Sequence, residues 1–143
     1  MSQTRVLFLC TSNSARSQMA EAFLRKYAGD RFEAYSAGLE PKGLHPLTVK
    51  VMEEGGVDMS GHTSKGFETY LGKMLFQYLV TVCDEAENNC PTVWPGVSNR
   101  LHWHFKDPAA FIGTEEEKLT KFRQVRDQIE QKIKAWIAEK AID

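Results

Sequence analysis

Two residues early in the chain have the types and spacing to act on an oxyanion. They are Cys10 and Arg16, within FLCTSNSARSQMAE at 8–21. An ionised cysteine sulfur is a strong nucleophile, and a guanidinium offers a planar fork of donors suited to a tetrahedral anion. Between them lie Thr11, Ser12, Asn13, Ser14 and Ala15, small enough for the backbone to wrap a compact ion. The apolar run RVLFLC at 5–10 lacks alternation and suits a strand buried on both faces. After Cys10, residues 15–28 place Met19, Ala20, Phe23, Leu24 and Tyr27 at helical spacing, with Gly29 as a stop. Ligands bind at the carboxyl ends of parallel strands, and a helix N-terminus presents its unpaired N–H groups to an anion. The same field favours the thiolate of Cys10, and Ser17 or Thr11 is placed to donate to it. The pattern predicts an oxyanion seat over 11–17 with an attacking sulfur beneath it. Strand before, helix after and small residues between disfavour the plainer reading of a buried cysteine and a surface arginine.

The elements that must position this pair follow in alternation. RFEAYSAG (31–38) reads as a second strand, and HPLTVKVMEEGG (45–56) as a helix with Pro46 in its first turn. A further helical stretch is expected around 65–76, weakened by Gly66 and Gly72. YLVTVC (78–83) and NRLHWHF (99–105) read as the third and fourth strands. The strongest helix covers 115–140. Thr114 and Glu117 form a capping box, and Leu119, Phe122, Val125, Ile129, Ile133, Trp136 and Ile137 share one face. The expected fold is α/β, a four-stranded parallel sheet flanked by helices. A length of 143 residues suits one catalytic domain, 1–143. The composition, 42% hydrophobic and 26% charged, is that of a globular protein, and a net charge of −1 argues against nucleic-acid or membrane partners. No apolar run is long enough for a signal peptide or a membrane span, so the cytoplasm is the expected compartment.

CTSNSARS resembles the phosphate-binding loop of the low-molecular-weight tyrosine phosphatase fold. Within that fold the chain resembles the thioredoxin-coupled arsenate reductases. SNSARSQMAEAF, YSAGLEPKGLHP, VTVCDEAENNCP, HWHFKDPA and GTEEEKLTKFRQVRDQI lie in that family's order and spacing, across nearly the whole chain. The resemblance implies arsenate bound by Thr11, Ser12, Asn13, Ser14, Ala15, Arg16 and Ser17, with phosphate and sulfate as competing anions. It implies Cys10 as nucleophile, Asp107 of KDPA as general acid, thioredoxin as partner and no cofactor. Asp-Pro before a helix is otherwise read as a turn or cap.

The remaining cysteines, Cys83 and Cys90, have no task in a plain phosphatase. The resemblance makes them a relay: Cys83 forms a disulfide with Cys10 as arsenite leaves, Cys90 resolves it to Cys83–Cys90, and thioredoxin reduces that bond. A helix over 83–90 would hold the last two Cα atoms ~10.5 Å apart, beyond the roughly 4.4–6.8 Å of a disulfide. The segment is therefore expected to rearrange on oxidation. A metal site of Cys83, Cys90, His102 and His104 is disfavoured by the wide cysteine spacing.

Three positions depart from the family pattern. Ser12 and Ala15 stand where relatives often carry glycine and a further cysteine. Lys65 stands where some relatives place a carboxylate beside a potassium site matching Asn13, Glu21 and Ser36. An ammonium there is expected to pair with Glu21 and leave weak or no potassium activation, the alternative being a simply solvated Lys65. Trp94, Trp103 and Trp136 are read as packing, with Trp94 also a possible partner contact, and His45, His62, His102 and His104 as ordinary surface or strand residues. The competing functions are a tyrosine or small-molecule phosphatase, whose activity is also expected as a weak side reaction, and a thiol-based arsenite or metal sensor. KDPA lacks the aromatic residue that commonly follows Asp-Pro in those phosphatases, and no basic DNA-reading helix accompanies a sensor.

Overall fold

The first strand, β1 (Thr4–Cys10), runs through the interior of a parallel sheet. It is followed by α1 (Arg16–Ala28), β2 (Phe32–Gly38), α2 (Pro46–Glu54), β3 (Tyr78–Thr81), β4 (Asn99–His102) and α3 (Glu115–Ile142). The computed structural model describes residues 3–83 and 94–142. The sheet order is β2-β1-β3-β4, every neighbouring pair parallel, as the alternation of elements predicts. From β1 the chain first adds β2 on one side, then returns to add β3 and β4 on the other. The order therefore reverses between β1 and β3, and the crevice at their carboxyl ends is where such sheets bind ligands.

The unalternating run of β1 is explained by two cores. Val6, Phe8 and Cys10 face one, with Met19, Phe23, Phe122, Val125, Ile129 and Trp136. Leu7 and Leu9 face the other, with Phe76, Leu79 and Trp94. The helix expected around 65–76 is only a three-residue 3-10 helix, Phe67–Thr69, followed by turns. Gly72 at φ +75° stops a longer helix. The stretch instead packs rings: Tyr35, Tyr70 and Phe76 lie with centroids 5.4 to 5.8 Å apart. β3 and β4 are also shorter than expected, so Val82 and Cys83 lie beyond the strand. All three tryptophans are buried, as expected of packing residues.

α3 follows its predicted pattern. Phe122, Val125, Ile129, Ile133 and Trp136 are buried along one face. Arg123 clasps both oxygens of Glu54 at 2.9 Å, and Arg126 donates to the Val51 carbonyl at 2.9 Å, tying α3 to α2. The Tyr27 hydroxyl donates to Glu130 across from α1, which pushes the phenol up to about 12. Among the described residues no helix is long and apolar enough to cross a membrane.

The capping box is present in both directions. Thr114 N–H donates to Glu117 Oε1 at 2.9 Å, and Glu117 N–H donates to Thr114 Oγ1 at 3.2 Å. These bonds hold the Glu117 carboxyl below its ordinary value. Thr114→Ala is expected to cost about 1 kcal/mol in urea unfolding. A depressed carboxyl contributes stability above its unfolded value of roughly 4.3 and loses it as pH falls through the folded value. Glu117→Gln should therefore flatten the fall in stability on the acid side of that value, and an unchanged slope would refute the assignment.

Candidate active site

Cys10 closes β1 and is 1% exposed. Two donors reach its sulfur: the Asn13 amide N–H at 3.2 Å and the Ser17 hydroxyl at 2.8 Å. The groups behind the second bond have fixed roles. Lys65 N–H, which can only donate, reaches Asn13 Oδ1 at 2.8 Å. Asn13 Nδ2 is thereby a donor, and it reaches Ser17 Oγ at 2.7 Å. A thiolate has no proton to give, so toward ionised Cys10 it is Ser17 that donates.

The loop carbonyls all point away from the sulfur and all are satisfied. Cys10 O accepts from Leu39 N–H, Thr11 O from Glu40 N–H, Ser12 O from Lys42 N–H and Ser14 O from His45 N–H. Ser64 Oγ also donates to Ser12 O and Thr48 Oγ1 to Ser14 O. Gln18 Nε2 takes Asn13 O, and Ala15 O accepts Met19 N–H as α1 begins. With its carbonyls outward, the loop turns its amide N–H face inward. Ala15 gives α1 no side-chain cap, so the helix N-terminus opens into the same concavity. The curl depends on Asn13, which sits at φ +50°. Asparagine tolerates this left-handed region better than most side chains. Ser12, where relatives often carry glycine, has no positive φ; the next residue, Asn13, takes it.

Arg16 is 2% exposed although it is the first residue of α1. Its Nη1 donates to Phe105 O at 3.1 Å, and Nη2 lies 3.6 Å from Asp107 Oδ2. The segment after β4 therefore aims the guanidinium. Asp107 divides its oxygens. Oδ1 accepts Ala109 N–H at 3.0 Å, capping the 3-10 helix Pro108–Ala110, while Oδ2 faces Arg16. The cap expected of Asp-Pro is present, and the same carboxylate faces Arg16. A cavity of about 390 Å³ opens here, lined by Ser12, Ser14, Lys42, His45, Asp107 and Ala110 among others.

Cys83 is fully buried two residues past the end of β3, the neighbour of β1. Val82 N–H still donates to Leu9 O at 3.0 Å, so Cys83 departs from the same rim as Cys10. Cys83 is disulfide-bonded and Cys10 is free. Cys90 and most of the irregular stretch at 84–98 lie outside the described residues. Among the described residues no group of three or more histidine, cysteine or carboxylate side chains is gathered as metal ligands. His102 and His104 rest ring against ring, 4.3 Å apart.

Lys65 does not pair with Glu21. Its ammonium donates to Thr63 O, two residues back. Glu21 is engaged by Ser36 Oγ at 2.6 Å, Arg25 at 3.1 Å and His62 at 3.6 Å. Two groups that sequence reasoning passed over also matter. His45 caps α2, its Nδ1 accepting Leu47 N–H at 3.1 Å, so its neutral ring carries the proton on Nε2. Burial pushes this imidazole down, while the nearby Asp107 opposes the shift. Gly38 pairs with Cys10 in the sheet and admits the loop; a Cβ there would lie 2.9 Å from both Asn13 N and Thr11 O. The glycine ending YSAG was the visible signal for this close approach.

A buried sulfur under inward-facing amides at a strand-to-helix turn, with an arginine and a carboxylate at its mouth, defines the oxyanion-binding cysteine enzymes of the α/β class. The family model for low molecular weight phosphotyrosine protein phosphatases matches residues 5–143, and the chain belongs to that family. A curated relative from Halalkalibacterium halodurans, an arsenate reductase, is 45% identical over 136 residues, spanning 95% of this chain and 96% of the relative. A solved arsenate reductase in a phosphate-binding state superposes with a TM-score of 0.79 at 31% identity, over 96% of this chain and 98% of that one. A thioredoxin-dependent arsenate reductase from Corynebacterium glutamicum superposes at 0.59 and 26% identity, over 93% of this chain and 63% of that one.

Gly38→Ala tests whether the close approach shapes the loop. Displacing Thr11 and Asn13 should cost about 1–3 kcal/mol in urea unfolding and weaken phosphate binding in calorimetry. Stability and affinity matching the unmodified protein would show that the loop yields freely.

Proposed function

We propose that the chain is an arsenate reductase working through a relay of Cys10, Cys83 and Cys90. The observation that carries this reading is a second buried cysteine, Cys83, on the rim it shares with the Cys10 sulfur, itself held by two hydrogen-bond donors. Arsenate sits in the seat formed by residues 11–17, its oxygens held by loop amides and Arg16. The Cys10 thiolate attacks arsenic; an S–As bond forms and an As–O bond breaks. Asp107 protonates the departing oxygen, which leaves as water. Phosphate and sulfate fit the same seat and compete for it.

The Cys83 thiolate then attacks Cys10 Sγ. An S–S bond forms, the S–As bond breaks, and its electron pair stays on arsenic. As(V) becomes As(III), arsenite leaves, and two thiols are oxidised by two electrons. Cys90 attacks Cys83 Sγ, frees Cys10 and leaves Cys83–Cys90, which an external dithiol of the thioredoxin class reduces. The placement of Cys83 on the rim shared with Cys10 supports the second step. A relay that must be re-reduced each cycle belongs in the reducing cytoplasm.

Phosphomonoester hydrolysis is the second reading, favoured by the family itself. The same Cys10, Arg16 and Asp107 serve it. Against it as the main activity, the wall after Asp107 is Pro108, Ala109 and Ala110, with no ring to stack on a phenyl group.

Arsenate-dependent NADPH oxidation with thioredoxin and thioredoxin reductase separates the two. Steady turnover is expected for the unmodified protein, and Cys90→Ala should stop after about one turnover per chain, its disulfide unresolved. Asp107→Asn keeps the cap on Ala109 N–H but cannot donate the proton, and should lower kcat by roughly 10²-fold or more. Equal phosphatase rates in both cysteine forms, with no arsenate reduction, would replace this reading by the second.

A further inference from the structure

The first turns of α1 bury a polar side chain that the reaction above does not use. Gln18 is 0% exposed. Its Nε2 faces three acceptors: Thr63 O at 2.8 Å, Asn13 Oδ1 at 3.0 Å and Asn13 O at 3.3 Å. Two N–H bonds serve them, one directed to Thr63 and one shared by the two oxygens of Asn13. On its other side Gln18 Oε1 lies 3.4 Å from His62 Nδ1. That nitrogen also faces Glu21 Oε2 at 3.6 Å, so it stands between two acceptors and carries the proton. The orientation of the Gln18 amide is therefore set from both ends.

We propose that Gln18 is a positioning residue for the nucleophile, acting through Asn13 and Ser17. It grips the one left-handed non-glycine residue among the described residues by both its backbone and its side-chain oxygen. With Asn13 Oδ1 held by Gln18 and Lys65, Nδ2 has one orientation, and it holds the Ser17 oxygen. Toward the Cys10 thiolate, which only accepts, the Ser17 oxygen so held presents its proton. The backbone grip keeps Asn13 N–H on the same sulfur. Gln18 never touches the sulfur or the anion; together with the Lys65 N–H it holds in place the donors that do. The Thr63 bond adds a mechanical tie, clasping the 62–65 strap to the loop beside the Ser64–Ser12 bond. The inference rests on Cys10 being the nucleophile.

The test is the pH profile of Cys10 alkylation by iodoacetamide in the reduced full-length chain, read on the Cys10 peptide by mass spectrometry. Four forms are compared: unmodified, Gln18→Met, Ser17→Ala and the double variant. Methionine keeps the length and apolar bulk of the side chain and removes the amide. In the Ser17-containing chain, Gln18→Met should move the midpoint up by roughly one unit, a tenfold loss of thiolate below it. In the Ser17→Ala chain the same substitution should move it by less than about 0.3 unit, because the group it acts through is gone. The charged groups nearby, Arg16 and Asp107 on the sulfur side and Glu21, His62 and Lys65 on the far side, are the same in all four. If Gln18→Met fails to fold, Gln18→Leu gives the same comparison, since it removes the amide without adding a charge. No shift in the Ser17 background overturns the proposal. So does an equal shift in both, which would mean general loosening of the loop. If the unmodified chain is alkylated at Cys83 or Cys90 rather than Cys10, the nucleophile assignment falls first and this inference with it.

Discussion

A ring of amides can aim its N–H groups at one point only if its carbonyls are satisfied on the outside. That constraint organises this molecule. Residues 10–15 run from the end of β1 to the start of α1, and three stretches of the chain, 39–48, 62–65 and α1 itself, supply donors to their outward oxygens. The 39–45 segment forms one side, the 62–65 strap another, and α1 folds back from within. Buried carbonyls without such donors would each cost on the order of 1–3 kcal/mol. The loop and its surroundings are therefore one structure, and the shape of the seat is a property of the whole rim.

The same logic gives the hydrogen bonds a direction. A lone hydroxyl beside a sulfur can either donate or accept. Here the group behind the hydroxyl is settled several bonds away, at the backbone N–H of Lys65, which has only one role open to it. From there Asn13 Nδ2 is fixed as a donor to Ser17, and a thiolate at Cys10, able only to accept, takes the Ser17 proton. Arg16 is oriented from a third direction, by the Phe105 carbonyl and the carboxylate of Asp107. Its burial is tolerable because both ends of the guanidinium have partners.

What the sequence displayed, and what it hid, divides along the range of the interactions. The strands and long helices were legible because their causes are local: the unbroken apolar run of β1, the capping box and the apolar face of α3. The Cys10–Arg16 pair was legible because a strand, small residues and a helix occur in direct succession. The stretch at 65–76 misled because its apolar spacing fits a helix, while its rings Tyr70 and Phe76 are held by packing against Tyr35 of β2. Lys65 misled because charge suggests partners without choosing among them. Glu21 was already surrounded by Ser36, His62 and Arg25, the last its neighbour four residues on along α1. Gln18 gave no signal, since a glutamine early in a helix is ordinary until its surroundings are known.

The bond from Arg16 to Phe105 spans 89 positions of sequence. During synthesis, at about 5–20 residues per second, the sulfur-bearing loop leaves the ribosome several seconds before the residues that steady its guanidinium. The earliest part of the site thus waits for one of the latest. A nascent chain carries the thiol long before it has a finished pocket to put around it, and throughout that interval the cell's reducing pool, rather than the protein's own architecture, must keep that sulfur unspent.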